Sequence, residues 1–153
     1  MKELNNLLSQ IENAIPHWEK QNTTISIATV GWQLDHSLLV INGIISQLSK
    51  SNPNNYKWRF NLSRIYIQCR NAIPRGKAKA PKQVRPVDNT SIEDLQNKLA
   101  TAKNNMALLQ KLDKNSYFTH PYFGDLNLKA TIWFLKLHTR HHLKIVNNII
   151  NKG

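Results

Sequence analysis

Two histidines near the C-terminus, His138 and His142, have the residue type and the spacing of metal ligands. They are four residues apart in a segment whose apolar residues recur with helical period, so both imidazoles would lie on one face of a helix. Helical zinc sites use the same spacing. The alternative is that both are core residues, each with one hydrogen-bonded nitrogen. A third ligand from another segment would favour the metal site.

His36 is the candidate third ligand. It follows Thr29, a plausible N-cap, in a predicted helix over residues 30–50 with an apolar stripe at three-four spacing. His36 lies on the flank of that stripe and would face an adjacent helix. Asp35 is about 100° away on the helical wheel, so we expect its carboxylate to point elsewhere.

The elements that must position these histidines are helices. Apolar residues at three-four spacing predict four long amphipathic helices, over residues 2–19, 30–50, 90–109 and 128–152. Pro16 should end or kink the first of them. The pattern T-S-I-E at 90–93 predicts a capping box for the third, with Thr90 as the N-cap and Glu93 reaching back to it. Asn127 is a candidate cap for the last helix.

The segments between the helices show no alternating strand pattern. Residues 59–72 predict a short basic helix, and residues 73–88, with three prolines and one glycine, predict an extended crossover. Residues 111–127 are predicted to be a loop with a turn at H-P-Y-F-G (120–124). The predicted fold is therefore all-α: a four-helix bundle with a long crossover and a short extra helix.

Length and composition predict one domain over residues 1–153, large enough to bury a core without disulfides. The single cysteine, Cys69, suits a reducing compartment. The N-terminal residues lack the apolar core of a signal peptide, and no apolar run approaches the roughly 20 residues of a membrane span. We therefore expect a soluble, cytoplasmic protein without membrane association.

The charge is strongly positive and unevenly distributed. The formal net charge is +12, and no acidic residue occurs between Asp35 and Asp88, an interval that contains ten lysines and arginines. This basic segment, residues 50–85, would suit nucleic acid or small anionic ligands equally well. No nucleic-acid-binding motif accompanies it, so the sequence does not favour a nucleic-acid partner.

Four motifs in order resemble the DinB-like four-helix superfamily of metal-dependent enzymes. They are W-Q-L-D-H around His36, the crossover with R-G-K-A-K-A-P, the H-P-Y-F-G turn, and H-T-R-H-H-L near the C-terminus. Together they cover nearly the whole chain and look most like a bacterial branch that carries an H-P-x-F-G turn before the last helix.

This resemblance implies a divalent metal ion, zinc or nickel, held by His36, His138 and His142. His141 would face the edge of the last helix on the helical wheel, so we expect it either to support a ligand from behind or to lie at the surface. The resemblance places His120 in a motif position, where it would either support a ligand from behind or stabilise the turn. Three imidazoles leave an open position on the ion, as in catalytic sites. The implied activity is a metal-dependent transferase using a low-molecular-weight thiol, or a hydrolase, with an unknown small-molecule substrate.

Two other functions stay open: a non-catalytic helical bundle with structural histidines, and a basic nucleic-acid-binding module. The resemblance also implies a homodimer. Trp133 and Leu137, apolar but away from the main stripe of the last helix, would suit the partner surface.

Overall fold

The computed structural model describes residues 1–74, 84–86 and 90–152. Within these ranges the chain forms five α-helices, two single 3-10 turns and two short strands. The helices are α1 (Lys2–Ala14), α2 (Val30–Lys50), α3 (Leu62–Arg70), α4 (Ile92–Leu109) and α5 (Leu128–Asn151). The 3-10 turns are Ile15–His17 and Pro53–Asn55, and the strands are β1 (Tyr117–His120) and β2 (Gly124–Asn127).

The four long helices pack around one apolar core. Helices α1 and α2 each pack against both α4 and α5 and contact each other only slightly, so the order around the core is α1, α4, α2, α5. The apolar stripes read from the sequence supply this core. Its most completely buried side chains are Leu4, Leu8, Ile11, Leu34, Leu38, Ile41, Ile45, Leu48, Leu95, Leu109, Leu126 and Leu135. The shared face of α2 and α5 is the one that positions the histidines.

The helix ends follow the predicted caps, with one exception. The side chains of Thr29 and Asn127 accept hydrogen bonds from the backbone N–H of Trp32 and Ala130, which confirms both predicted N-caps. Pro16 lies in the 3-10 turn that ends α1, as its fixed φ and missing N–H require.

The predicted capping box at Thr90 is wrong by one residue. Ser91 is the N-cap of α4, and its partner in the capping box is Asp94. The sequence S-I-E-D satisfies the same pattern as T-S-I-E, and the Thr90 hydroxyl has another partner, donating to Asp35 Oδ2 at 2.7 Å. Asp35 also accepts from Lys98 Nζ at 2.7 Å and is completely buried, so it points away from His36 as expected.

The region 111–127, predicted to be a loop, contains a β-hairpin. Strands β1 and β2 pair antiparallel, with Tyr117 opposite Asn127 and His120 opposite Gly124. Phe118 and Leu126 face each other across the hairpin and are buried in the core. Strands of four residues are too short for a period-two pattern to stand out. The fold is mostly helical, consistent with the all-α prediction, and it contains in addition one small two-stranded sheet that the sequence did not predict.

The predicted crossover is described only in part. Residues 75–83 and 87–89 lie outside the described residues, whereas Ile73, Pro74 and 84–86 are described. The backbone carbonyl of Val84 contacts His36, and Pro86 is buried. The short basic helix predicted just before the crossover is confirmed as α3, with narrower bounds.

The exposed apolar surface is not where the sequence predicted it. Leu137 is only 3 % exposed, and Trp133 is half-buried against the ring of Phe123. The expectation that Leu137 lies on a partner surface is therefore wrong, because this residue is part of the core. The largest exposed apolar side chains near α3 are instead Trp58, Phe60, Leu62 and Tyr66. Among the described helices, none combines the length and the hydrophobicity needed to cross a membrane.

Two fully buried threonines on α5 give a matched stability test. Thr131 donates to the Leu126 carbonyl at 2.8 Å, whereas the Thr139 hydroxyl has no hydrogen-bond partner among the described residues. An unpaired buried hydroxyl costs about 1–3 kcal/mol, and a made hydrogen bond contributes about 1 kcal/mol. We expect Thr139→Val to raise the free energy of unfolding by about 1 kcal/mol and Thr131→Val to lower it by a similar amount, as measured by urea denaturation. Equal effects of the two substitutions would contradict this expectation.

Candidate metal centre

The structure brings together the three histidines that the sequence predicted as ligands. His36 comes from α2, and His138 and His142 come from successive turns of α5. One potential ligand atom from each ring lies within 4.8 Å of the other two. The ring centroids are 5.0 Å apart for His36 and His138, 4.7 Å for His36 and His142, and 4.5 Å for His138 and His142. The three imidazoles therefore lie side by side between two helices.

Aromatic side chains one turn away pack against two of the imidazoles. Trp32 precedes His36 by four residues, and its ring stacks on the imidazole at 5.2 Å with 20° between the planes. Phe134 precedes His138 by four residues, with ring centroids 5.5 Å apart. His36 is only 4 % exposed. These contacts cover part of His36 and His138, whereas His138 and His142 stay partly exposed.

Two of the three rings are oriented by hydrogen bonds through Nδ1. His36 Nδ1 lies 2.7 Å from the Val84 carbonyl oxygen, and His142 Nδ1 lies 2.6 Å from Gln33 Oε1. The Gln33 amide is itself oriented, because its Nε2 donates to Ser26 Oγ at 3.2 Å. Since both partners are acceptors, each Nδ1 carries the proton and donates. In the neutral ring, Nε2 then keeps a lone pair that can bind a metal ion.

The third ring, His138, is held differently. Its Nδ1 is buried and has no hydrogen-bond partner among the described residues. An unpaired polar atom in the interior costs about 1–3 kcal/mol, and buried polar groups in native proteins normally have a partner. Protein contacts alone thus do not account for an imidazole at this position, which favours a bound ligand.

All three imidazoles favour the neutral state. Burial lowers the pKa of His36, His138 and His142 below the ordinary value near 6.5, and repulsion between neighbouring imidazolium charges lowers it further for His138 and His142. The neutral imidazole is the form that binds metals. At neutral pH, protons would therefore compete little with a metal ion at this site.

The dimensions of the cluster fit a small divalent ion. The three ligand nitrogens lie within 4.8 Å of one another, so an ion between them would be at most about 2.8 Å from each nitrogen. Zinc–nitrogen bonds are about 2.0–2.1 Å long. Shifts of less than about 1 Å in the positions of the three nitrogens would bring them to bonding distance. Asp35, the nearest carboxylate in sequence, is held by Lys98 and Thr90. The donor set is thus three neutral nitrogens, which leaves room on the ion for a further ligand.

His120 is a turn residue, one of the two roles that the resemblance left open. Its Nδ1 accepts hydrogen bonds from the backbone N–H groups of Tyr122 and Phe123, at 3.1 and 3.2 Å. The ring stacks on Phe123 at 4.3 Å and meets the edge of Phe134 at 4.7 Å. Phe134 in turn contacts His138, so His120 supports the cluster only through an aromatic side chain.

His141 lies at the edge of the cluster, as expected. Its half-buried ring is perpendicular to that of His142, with centroids 5.1 Å apart. The residues that sequence reasoning missed are Gln33 and Val84. Gln33 could have been found, because it is three residues before His36 on the same helical face. Val84 could not, because its contact is a backbone carbonyl 48 residues away in sequence.

The acceptor role of His120 predicts a pH-dependent contribution to stability. Burial lowers the pKa of His120 to about 4, from an ordinary value of 6.5. The neutral ring of His120 therefore makes its full contribution to the free energy of unfolding above about pH 6.5. As the pH falls towards 4 this contribution is lost, which lowers the free energy of unfolding by about 3 kcal/mol. Asn at this position can accept the same hydrogen bonds but does not titrate. We expect the stability difference between the wild type and His120→Asn to shrink by up to this amount between pH 7 and pH 4.

Urea denaturation at a series of pH values, with EDTA present, measures this difference. His17→Asn, the same substitution in the 3-10 turn that follows α1, is the matched control. A pH-independent difference for His120→Asn would show that Nδ1 of His120 is not an acceptor in the folded protein.

No family model, curated protein or solved structure matches this chain, so the support for a function comes from the geometry of the three-histidine cluster itself.

Proposed function

We propose that this chain is a metal-binding protein in which His36, His138 and His142 hold one divalent ion, zinc or nickel. The observation that carries the proposal is the convergence of three imidazoles from two helices, with their ligand atoms within 4.8 Å of one another. The Nδ1 contacts of His36 and His142 support the proposal. A metal-bound imidazole usually donates a hydrogen bond from the ring nitrogen that does not bind the metal.

The alternative of three structural histidines explains the cluster less well. Burying three imidazoles side by side costs free energy, because each loses hydration and repels a protonated neighbour. The ring of His138 gains no hydrogen bond through Nδ1 among the described residues. A bound ion would offset both costs, whereas hydrophobic side chains of similar size would serve a purely structural core better.

We further propose that the chain belongs to the DinB-like superfamily. What supports this is the combination of four long helices around one core, a long connection between α3 and α4, and a metal-type cluster built from α2 and α5. The H-P-Y-F-G motif forms the hairpin turn immediately before α5. The proposal includes a homodimer, which sedimentation analysis would test directly.

The activity we propose is the transfer of a low-molecular-weight thiol, with hydrolysis as the second candidate. A divalent ion with three imidazole ligands would supply Lewis acidity, which lowers the pKa of a thiol or a water molecule at its open position. Hydrolysis commonly needs a general base as well, and Asp35 is held in an ion pair with Lys98. A thiol, with an ordinary pKa near 8.5, needs less assistance to ionise. The absence of a carboxylate from the cluster, in the described part of the chain, therefore favours thiol chemistry.

Metal analysis of protein purified without a histidine tag tests the site. We expect close to one zinc or nickel ion per chain, and loss of that ion in His36→Gln, His138→Gln and His142→Gln. At a free zinc concentration 100 times Kd, the ion should stabilise the wild type by about 2.7 kcal/mol and should not stabilise the three variants.

His17→Gln is the control for this experiment and should retain the ion. In the cobalt-loaded protein, addition of a small thiol should change the visible absorption spectrum if thiol binds the ion. Failure to retain a stoichiometric ion in the wild type would leave a structural bundle as the better description. Metal binding without any spectral response to thiols would favour hydrolysis.

Gln33 is expected to act by positioning His142. Gln33→Leu removes the acceptor of the Nδ1 proton, so the ring can rotate, and zinc affinity should fall by about 10- to 100-fold. Gln33→Glu keeps an acceptor oxygen and should retain most of the affinity. Gln47→Leu, the same change on an exposed turn of α2, should leave affinity unchanged. A loss of stability in Gln33→Leu with normal zinc affinity, measured by competition with a chromophoric chelator, would assign Gln33 a structural role only.

A further inference from the structure

A groove of about 480 Å³ lies beside the three-histidine cluster, between α5 and the chain that leaves α3. One wall is formed by Arg70 and the residues that follow it to Pro74, and the other by a face of α5. The α5 residues that line the groove recur at three-four spacing, as one helical face requires; they are Leu137, Arg140, His141, Lys144 and Asn148. We refer to it as the α3–α5 groove.

The charged side chains that line the groove are all basic. Arg70, Arg140 and Lys144 line it, and no carboxylate side chain is among its described lining residues. The Arg70 guanidinium donates one hydrogen bond, from Nη1 to the Tyr66 hydroxyl at 3.0 Å. Arg140 Nε lies 3.6 Å from Glu3 Oε1, a long contact between two exposed side chains that neutralises little. A guanidinium has five N–H donors, so these contacts occupy only a small part of each group.

The groove also has an apolar part. Leu137 is buried at its base, and Ala72, Ile73 and Pro74 contribute aliphatic surface to the opposite wall. Arginines beside aliphatic surface suit a ligand that carries both an oxyanion and a short hydrocarbon portion, because carboxylates and phosphates pair with guanidinium groups through two parallel hydrogen bonds.

The groove adjoins the histidine cluster through His141. This residue lines the groove, and its ring contacts that of His142 at 5.1 Å. On the helical wheel, His142 is about 100° from His141 and His138 is about 60° from it, so the groove and the cluster occupy neighbouring faces of α5. A small molecule in the groove would therefore lie next to the imidazoles.

We propose that the α3–α5 groove binds the carboxylate or phosphate group of a small amphiphilic molecule, with Arg70 and Arg140 as the main anion contacts. The molecule would extend from the groove towards the three-histidine cluster. This second part rests on the proposed metal site, whereas anion binding in the groove does not. The proposal thus narrows the substrate class of the proposed enzyme to organic anions with an apolar segment.

Isothermal titration of the full chain with four probes tests the proposal, at about 0.15 M salt so that unspecific charge attraction is screened. The probes are hexanoate, hexyl phosphate, inorganic phosphate and hexanol. We expect both hexyl anions to bind, hexanol to bind at least tenfold more weakly, and inorganic phosphate to bind more weakly than hexyl phosphate. The ratio of the dissociation constants of hexanoate and hexyl phosphate distinguishes a carboxylate site from a phosphate site. Equal binding of hexanol and the anions would overturn the proposal.

Two variants with the same loss of charge separate the groove from the general positive field. The double variant Arg70→Gln/Arg140→Gln should weaken binding of the hexyl anions by at least tenfold. Lys111→Gln/Lys129→Gln, which changes two exposed lysines outside the groove, should change it by less than twofold. Arg140→Gln also removes the contact between Arg140 and Glu3. The single variant Arg70→Gln avoids this change, and we expect it to weaken binding of the hexyl anions by at least threefold. Equal effects of the groove and control variants would contradict the proposal.

The same titrations with zinc-free and zinc-loaded protein distinguish failure of the groove from failure of the metal site. Hexanoate binding without zinc, in a protein that also fails to bind zinc, would support the groove and refute the metal site. Hexanoate binding that requires zinc and disappears in His138→Gln would place the anion on the metal ion and overturn the groove proposal.

Discussion

Two hydrogen bonds to oxygen acceptors hold the candidate site in an arrangement compatible with metal binding. The Val84 carbonyl and the Gln33 side chain each accept the Nδ1 proton of an imidazole, His36 and His142 respectively, and leave the other nitrogen with a lone pair. Without these contacts, buried histidines could adopt either tautomer and rotate. The rest of the site depends on this constraint, because three nitrogens must be unprotonated and close together to bind one cation.

Aromatic side chains around the cluster reinforce this constraint by packing against two of its rings. Trp32 and Phe134 cover two of the imidazoles, and the hairpin turn supports Phe134 through the ring of His120. Burial of this kind lowers the histidine pKa values and makes each unpaired nitrogen costly.

Three of the basic side chains lie together at one place in the structure. Arg70 at the end of α3 and the pair Arg140 and Lys144, one turn apart on α5, line one groove next to the histidines. The acid-free interval supplies only Arg70 among the three. Net charge is a property of the whole chain, whereas the packing of α5 beside the end of α3 determines where these three basic side chains come together.

The sequence alone predicted the α-helices, the N-caps Thr29 and Asn127, and the three histidines that the fold brings together, because helical period and cap chemistry are local properties of the chain. It did not reveal the hairpin, since strands of four residues show no clear period, and it placed Leu137 on the surface although this residue is buried. Only the tertiary structure decided that Val84 would orient His36 and that His36 would reach α5. These contacts depend on how distant segments pack, and no short-range pattern encodes that packing.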